Sequence, residues 1–367
     1  MGTRFSSSPG TLTAMACFLG LLHLLVDASS LALLNQDWVL QRRDDDQIVQ
    51  LIIVYNCLAF GLQLFLGLLA DWWDCHRLWG AWGLGLTALS VVVSPAHPEA
   101  AMVGVALGNG LFHTGAGGIV LKQSGGGASR PGLFVGPGAL GVALGIHWGL
   151  AEFPGRELLA VLLLGLAALL SFVPLRVSVT TARIASSPSP HMAFSLMCVL
   201  ALASSVSLRS LVGESLADIG REEGMTIALL VAGAASAGKM LGGVVADRVG
   251  WRLVAVGSQL LLAGLLISVS LRGSAAVVDM FLLQLAMPVT LAALLAALPR
   301  LPGTVFGLGS LALLLGALPS FAGPTNWDPI LRLIPFTLVA ASTIFLGLSF
   351  LPPLASRDRK GAEGSEE

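Results

Sequence analysis

The sequence predicts an all-α polytopic membrane protein with twelve transmembrane helices in two six-helix bundles and both termini in the cytoplasm. Composition, the lengths of the apolar runs and the placement of basic residues lead to this fold class. Hydrophobic residues make up 55% of the 367 positions, and the mean hydropathy is +0.84. Charged residues make up 11%, whereas soluble domains carry roughly 25%. Because the net charge is only −1, we expect the lipid bilayer and not nucleic acid as the partner.

Twelve apolar runs come close to the length of about 20 residues that a helix needs to cross the hydrocarbon core. The runs cover 12–34, 48–70, 78–95, 98–121, 131–150, 157–175, 191–212, 224–246, 252–271, 275–298, 303–322 and 330–352. A polar stretch separates the first six runs from the last six. The predicted parts are therefore an N-terminal bundle (1–175), a cytoplasmic linker (176–190), a C-terminal bundle (191–354) and a polar cytoplasmic tail (355–367).

The basic residues favour one orientation, because cytoplasmic loops carry an excess of Lys and Arg. With the N-terminus inside, twelve of the twenty Lys and Arg residues fall on the inner side and six on the outer side. The other two, Arg209 and Lys239, lie within apolar runs. This bias predicts cytoplasmic termini and an even number of spans. We further expect a monomer in a plasma (bacterial inner) membrane.

The sequence predicts no enzyme, no cofactor and no metal site. The four cysteines do not pair within any loop, so their spacing indicates neither a disulfide framework nor a zinc site. The glycine run 125–127 lacks the following Lys-Ser/Thr that a phosphate-binding loop requires. No nucleophile–base arrangement is found either.

A pattern of Gly, Ala and Asp recurs at the same spacing after the second and the eighth run. The residues concerned are Gly67, Asp71 and Arg77 in the first copy, and Gly243, Asp247, Arg248 and Arg252 in the second. Both copies resemble the G-x-x-x-D-R-x-G-R-R cytoplasmic signature of the major facilitator superfamily. Trp72 and Asp74 replace the expected Arg and Gly in the first copy, and Trp251 replaces one Arg in the second. A carboxylate just past a helix end can pair with Arg and with the N-terminus of a neighbouring helix. The alternatives are a latch between the two halves and an ordinary charged loop.

The fourth and fifth runs carry two further resemblances. In the fifth run, Gly136, Pro137 and Gly141 resemble the G-P-x-x-G-G signature of antiporter-type, drug-exporting members of the superfamily, with Leu140 in place of a Gly. The glycines allow close packing and the proline frees a backbone carbonyl, so this segment is either a conformational hinge or a generic packing helix. The Gly-rich fourth run carries Phe-His and is similar to the fosmidomycin-resistance-like branch, although Thr114 replaces an expected proline.

Polar residues inside the runs are candidates for a functional site, because ionisable groups in a membrane usually face a cavity or a partner. In the superfamily fold the first, fourth, seventh and tenth spans line the central cavity. The polar residues of those four spans are His23, Asp27, Asn109, His113, Arg209 and Gln284. The resemblance therefore implies that these residues bind substrate and couple its movement to protons.

Several roles stay open for these residues. His23 and Asp27 share a helix face and are either a proton carrier or a structural pair. His113 either contacts substrate and protons or is a packed core histidine. Arg209 pairs with Asp27 and closes the outer mouth when the transporter faces inward, binds an anionic substrate, or extends to the interface. We expect Lys239 to reach the cytoplasmic charge cluster.

The resemblance implies a secondary active transporter that moves a small organic solute, drug-like or anionic, by alternating access. The fifth-run motif favours proton-coupled export by antiport. The alternative is proton-coupled import of a small organic anion or sugar by symport, since the fourth run lacks the Arg of many drug–proton antiporters. A receptor or scaffold that keeps the transporter fold without transport is the alternative of another class.

Overall fold

The computed structural model describes residues 9–36, 45–172, 192–268, 273–322 and 333–350. In these ranges all regular elements are helices, which confirms the predicted all-α class. The predicted linker at 176–190 and the predicted tail at 355–367 lie outside the described residues.

The N-terminal half consists of seven α-helices in the ranges described. They are α1 (Pro9–Leu34), α2 (Asp45–Asn56), α3 (Gln63–Trp73), α4 (His76–Val93), α5 (Pro98–Gln123), α6 (Ser129–Leu150) and α7 (Arg156–Phe172). A π-helix at Cys57–Gly61 joins α2 to α3, so that Gln47–Trp73 is one continuous apolar helical stretch. Short π-helical insertions occur mainly inside α-helices and often at functional sites.

The C-terminal half likewise consists of seven α-helices in the described ranges. They are α8 (Met192–Glu222), α9 (Met225–Val249), α10 (Trp251–Ser268), α11 (Ser274–Gln284), α12 (Met287–Ala297), α13 (Pro302–Ala317) and α14 (Leu333–Ser349). A short 3₁₀-helix at Leu318–Ala322 follows α13. The break between α11 and α12 precedes Pro288, whose missing N–H cannot continue the hydrogen-bond ladder.

Seven helical stretches in the described ranges are long and apolar enough to cross a membrane. They are Pro9–Leu34, Gln47–Trp73, Ser129–Leu150, Leu196–Glu222, Met225–Val249, Ser274–Ala297 and Pro302–Phe321. Two shorter apolar helices, Trp251–Leu266 and Phe336–Ser349, accompany them. The protein is therefore an integral multi-pass membrane protein, as the composition predicts.

Helix α6 packs against α1 of its own half and against α9 of the other half. Glycines bring the helices together: a Cβ on Gly141 would lie 2.9 Å from Leu24 Cα of α1, and a Cβ on Gly136 would lie 2.9 Å from the Ser236 carbonyl oxygen of α9. Pro137 lies inside this helix on the side that contacts α1, since a Cβ on Gly20 would lie 3.3 Å from its Cγ. Small residues at helix crossings are the usual means of close packing in lipid.

Candidate functional site

A central cavity of about 1100 Å³ lies between the two halves. Its lining extends from mid-helix residues such as His113 and Phe306 to Asn35 near the end of α1 and Asp218 near the end of α8. We call the side on which α1 begins the N-terminal face and the other side the opposite face. The cavity extends toward the opposite face, while contacts described below close the N-terminal face.

A buried polar cluster forms the wall of the cavity on the side of the N-terminal half. Asp27 on α1 accepts a hydrogen bond from Asn109 Nδ2 on α5 (2.9 Å). Its other carboxylate oxygen lies 3.0 Å from His23 Nε2, and His113 Nε2 lies 3.6 Å from Oδ1. The two imidazoles meet directly, with 2.7 Å between His23 Nε2 and His113 Nε2. The structure thus brings together four of the residues singled out in the sequence.

The backbone determines which ring nitrogens of this cluster carry hydrogen. His23 Nδ1 donates to the Phe134 carbonyl oxygen (2.9 Å), and His113 Nδ1 donates to the Asn109 carbonyl oxygen (2.8 Å), since a carbonyl can only accept. In a neutral imidazole the second nitrogen is then an acceptor. The Nε2 atoms of His23 and His113 and the Asp27 carboxylate are therefore three acceptors that converge and repel one another. A proton on one of them makes it a donor to its neighbours and replaces this repulsion by hydrogen bonding.

The same atoms offer the donor set of a transition-metal site, with two imidazoles and one carboxylate within 4.8 Å of one another. Two nitrogens bound to one zinc ion at about 2.0–2.1 Å in tetrahedral geometry would stand roughly 3.3 Å apart. The observed 2.7 Å between His23 Nε2 and His113 Nε2 is shorter and is a hydrogen-bond distance. The spacing of this cluster therefore suits a proton.

Close packing holds His23 in this position. A Cβ on Gly138 of α6 would lie 2.6 Å from His23 Cδ2, so only glycine leaves room for the ring at this point of the helix contact. The rings of Phe112 and Phe134 also surround the imidazole. The sequence alone does not single out Gly138, because it is one of several glycines in the fifth run.

The cavity wall on the side of the C-terminal half carries Lys239 of α9, Gln284 of α11 and Glu214 of α8. Gln284 lies where the sequence analysis expects it. We expected Lys239 to reach the charged loops of the N-terminal face, but its side chain lines the central cavity. Glu214 is not among the predicted site residues, because the seventh apolar run ends at 212, whereas α8 continues to Glu222. The cavity explains the longer helix, since polar side chains beyond 212 face open space and not lipid.

Arg209 lies near the middle of α8, is buried, and is not part of the cavity lining. Its guanidinium donates to the Ser205 carbonyl oxygen (3.2 Å) and to Thr290 Oγ1 (2.8 Å). The structure, whose cavity is open toward the opposite face, does not bring Arg209 and Asp27 together; the predicted pair would close that side. Asn109 likewise lies behind Asp27 and does not line the cavity.

The first of two carboxylate contacts between the halves closes the N-terminal face at Asp71. Its carboxylate accepts hydrogen bonds from the backbone N–H groups of Gly303 (2.9 Å) and Thr304 (2.7 Å), and from Thr304 Oγ1 (2.7 Å). These groups belong to the first turn of α13, so an anion of one half caps a helix N-terminus of the other. His76 Nε2 holds the carboxylate from the near side at 3.0 Å.

The second contact repeats this arrangement with the halves exchanged. Asp247 accepts hydrogen bonds from the backbone N–H groups of Ala128 and Ser129 (2.8 Å each) and from the Ser129 hydroxyl, at the N-terminus of α6. Trp251, which replaces an expected Arg, donates its indole N–H to Asp247 Oδ1 (3.0 Å). We call the Asp71 and Asp247 contacts together the twin carboxylate gate.

Glycines and basic residues flank the gate. A Cβ on Gly67 would lie 2.8 Å from the Thr304 nitrogen, and one on Gly243 would lie 2.8 Å from the Ala128 carbonyl carbon. In the described part of the chain, Asp247 accepts its hydrogen bonds from two backbone amides, the Ser129 hydroxyl and the Trp251 indole, and none from an arginine. The basic residues of the motif lie nearby: Arg77 is half-buried on α4, while Arg248 and Arg252 are exposed and make no ion pair with any described residue.

The first motif copy departs from the superfamily signature in ways that the backbone explains. Asp74, which replaces a glycine, has a left-handed backbone with φ of 50°, a conformation that Asp tolerates better than most residues. Lys122 pairs with Asp74 and also donates to His76 Nδ1 (3.1 Å). Trp72, which replaces an arginine, is 84% exposed.

No protein-family model matches this chain, and no curated protein matches its sequence. Solved structures of transporters do match its fold. The E. coli fucose:proton symporter FucP aligns with a TM-score of 0.64 at 16% identity, over 93% of this chain and 98% of that chain. A structure of FucP, a major facilitator superfamily transporter, in the outward conformation aligns with a TM-score of 0.67 at 15% identity, over 93% and 99%.

The human organic anion transporter MFSD10 aligns with a TM-score of 0.59 at 16% identity, over 94% of this chain and all of that chain. The expectation of a major facilitator superfamily fold is thereby confirmed. The fosmidomycin-resistance-like branch is not distinguished by these comparisons.

Proposed function

We propose that this protein is a secondary active transporter that moves a small organic solute across the membrane by alternating access, coupled to protons. The observation that carries the proposal is the cluster of Asp27, His23 and His113, buried in a membrane fold yet lining its central cavity. We further propose twelve spans in two bundles, residues 1–175 and 191–354, with cytoplasmic termini and a monomer in the plasma membrane. Helices α2 and α3 form one continuous membrane-crossing stretch, and so do α11 and α12. The fourteen α-helices of the described ranges therefore correspond to twelve spans, which supports this proposal.

The proton-coupling step follows from the charges of the cluster. A carboxylate with two neutral imidazoles carries one negative charge, and one bound proton makes the cluster neutral. Lys239 of α9 and Tyr55 of α2 also interact electrostatically with Asp27. Loss of the proton leaves the two Nε2 atoms without the hydrogen bond between them, so that α1 and α5 lose one of their polar contacts in this cluster, while Asn109 still donates to Asp27. Proton occupancy and helix packing are in this way linked.

Alternating access would use the twin carboxylate gate. The gate closes the N-terminal face while the cavity extends to the opposite face, which corresponds to an outward-facing carrier if the termini are cytoplasmic. Opening toward the cytoplasm requires that Asp71 and Asp247 release the helix N-termini of the other half. Helix α6 belongs to the N-terminal bundle and also packs against α9 of the C-terminal bundle. Movement of the two bundles relative to each other at this contact would then close the outer side.

For the direction of transport we propose export by antiport, supported by the resemblance of Gly136, Pro137 and Gly141 to the antiporter signature on the helix between the halves. This places the chain on the drug–proton antiporter side of the superfamily, near the fosmidomycin-resistance-like branch. Symport is the second candidate. Lys239 favours it, because an anion bound there would be repelled by Asp27 unless the cluster holds its proton.

The test is proton flux in liposomes that hold the purified protein and an internal pH-sensitive dye. A panel of organic anions, drugs and sugars is added outside, and wild type is compared with Asp27→Asn. Uptake by symport acidifies the interior, and uptake in exchange for protons makes it alkaline. Asp218→Asn is the matched control, because Asp218 lies at the mouth of the same cavity and pairs with Arg221 outside the cluster.

We expect a substrate-triggered pH change in wild type and Asp218→Asn that disappears in Asp27→Asn. A compound that is transported without any pH change would contradict proton coupling. If correctly folded wild type transports no compound of the panel, the receptor or scaffold alternative is favoured instead.

A further inference from the structure

Lys239 is a charged group inside the membrane fold that forms no ion pair with any residue of the described ranges. It lines the central cavity, and among the residues that the structure describes it makes no hydrogen bond and no ion pair. Asp27 attracts it from across the cavity but already bonds to His23 and Asn109. Glu214 attracts it from α8 without forming an ion pair. A lysine in this position is costly unless an anion joins it.

Gln284 supplies a second unused donor on the same wall. Within the described part of the chain its Nε2 donates only to the Met280 sulfur at 3.7 Å, and a thioether is a weak acceptor. Two glycines make room for this side chain between α8 and α9. A Cβ on Gly238, the residue before Lys239, would lie 3.0 Å from Gln284 Cβ, and one on Gly213 would lie 3.7 Å from Gln284 Nε2. Lys239 and Gln284 therefore lie on two helices that pack against each other, and both side chains line the same cavity.

We propose that Lys239 and Gln284 bind the carboxylate of the transported solute, which is an organic monoanion with an apolar body. This inference rests on the proposed function and names its substrate class. The remaining wall at this depth is largely apolar and includes Val135, Ala139 and Phe306.

The charges of the cavity select a monoanion. The other Lys or Arg residue of the described lining, Arg221, lies at the mouth and is paired with Asp218. One ammonium group therefore faces the ligand at mid-depth, and because Asp27 and Glu214 share the cavity it can balance at most one further carboxylate. A phosphate dianion would retain an excess negative charge next to Asp27 and Glu214.

The test compares carboxylates with their neutral amides by isothermal titration calorimetry on the purified full-length protein. The probes are benzoate, phenylacetate, octanoate and naphthaleneacetate, each with its amide. We expect at least one carboxylate to bind wild type about tenfold or more tightly than its amide, as expected for a hydrogen bond to a charged group. The preference should fall to about onefold in Lys239→Met, remain in Lys239→Arg and decrease several-fold in Gln284→Leu.

Arg156→Gln removes a positive charge outside the cavity lining and should leave the preference unchanged. Size-exclusion profiles show whether Lys239→Met is folded. If it is not, the test rests on the carboxylate preference of Gln284→Leu and Lys239→Arg. The proposal is overturned if no carboxylate binds wild type more tightly than its amide, or if the preference survives in folded Lys239→Met.

The anion site and the proposed transport can fail independently. Neutral solutes that drive proton flux without any carboxylate preference would overturn the anion site alone. A Lys239-dependent carboxylate preference without substrate-triggered flux would uphold the site and contradict transport.

Discussion

Replacing Gly243 by alanine should weaken the twin carboxylate gate. The new Cβ would overlap the Ala128 carbonyl oxygen and lie 2.8 Å from its carbon, whereas ordinary contacts begin at 3.4 Å. Helix α9 must therefore move away from α6 by about 0.6 Å or more. This displacement would lengthen the hydrogen bonds of Asp247 to the Ala128 and Ser129 amides from 2.8 Å to about 3.4 Å, beyond the usual range for N–H···O contacts.

The hydrogen bonds of Asp247 determine how much the closed state is destabilised relative to the open state. Hydrogen bonds to a charged group contribute about 1.5–3 kcal/mol each, and the exposure of Asp247 to water reduces this. We expect the closed state of the N-terminal face to lose about 1–3 kcal/mol relative to the open state. This corresponds to a shift of about 5–150-fold in the conformational equilibrium.

Spin labels measure this shift directly. We would place them at Trp72→Cys and Arg300→Cys, two exposed positions of the N-terminal face in opposite halves, after removing the native cysteines. The short distance of the parent protein should give way to a longer one in Gly243→Ala. Gly165→Ala on α7 is the matched control, because its Cβ meets open space. An unchanged distance distribution in folded Gly243→Ala would refute the assignment of this contact as a gate.

Two further predictions concern the buried cluster. Gly138→Ala should displace the His23 imidazole, because the new Cβ would lie 2.6 Å from its Cδ2; the liposome assay should show reduced substrate-triggered proton flux while Gly165→Ala behaves as wild type. Normal flux in Gly138→Ala would show that the position of the ring is unimportant. Exchanging the charges in an Asp27→Arg, Arg209→Asp double variant should not restore flux, because Arg209 is buried outside the cavity lining and bonds to Ser205 and Thr290, and partial recovery would show that the two residues pair in the inward-facing state.

Much of the candidate site could be foreseen from the sequence where the signal is local. His23 and Asp27 are four residues apart on one helix, and this spacing alone indicates that they share a face. The recurring Asp71 and Asp247 indicate paired loops, since the repeat is visible along the chain. Glu214 could not be placed in the same way, because a polar residue past an apolar run is indistinguishable from a loop residue until a cavity is known to border it.

The sequence by itself determined that the chain is an all-helical membrane protein, because apolar content and run length depend only on neighbouring residues. Only the tertiary structure decided what the polar residues contact. His113 meets His23 from 90 positions away, and Asp71 caps a helix that begins more than 230 positions later. Lys239 faces the cavity and not the charged loops because the rotation of α9 is fixed by its glycine contacts with α6 and α11. Such contacts depend on how helices pack in three dimensions, which no local pattern encodes.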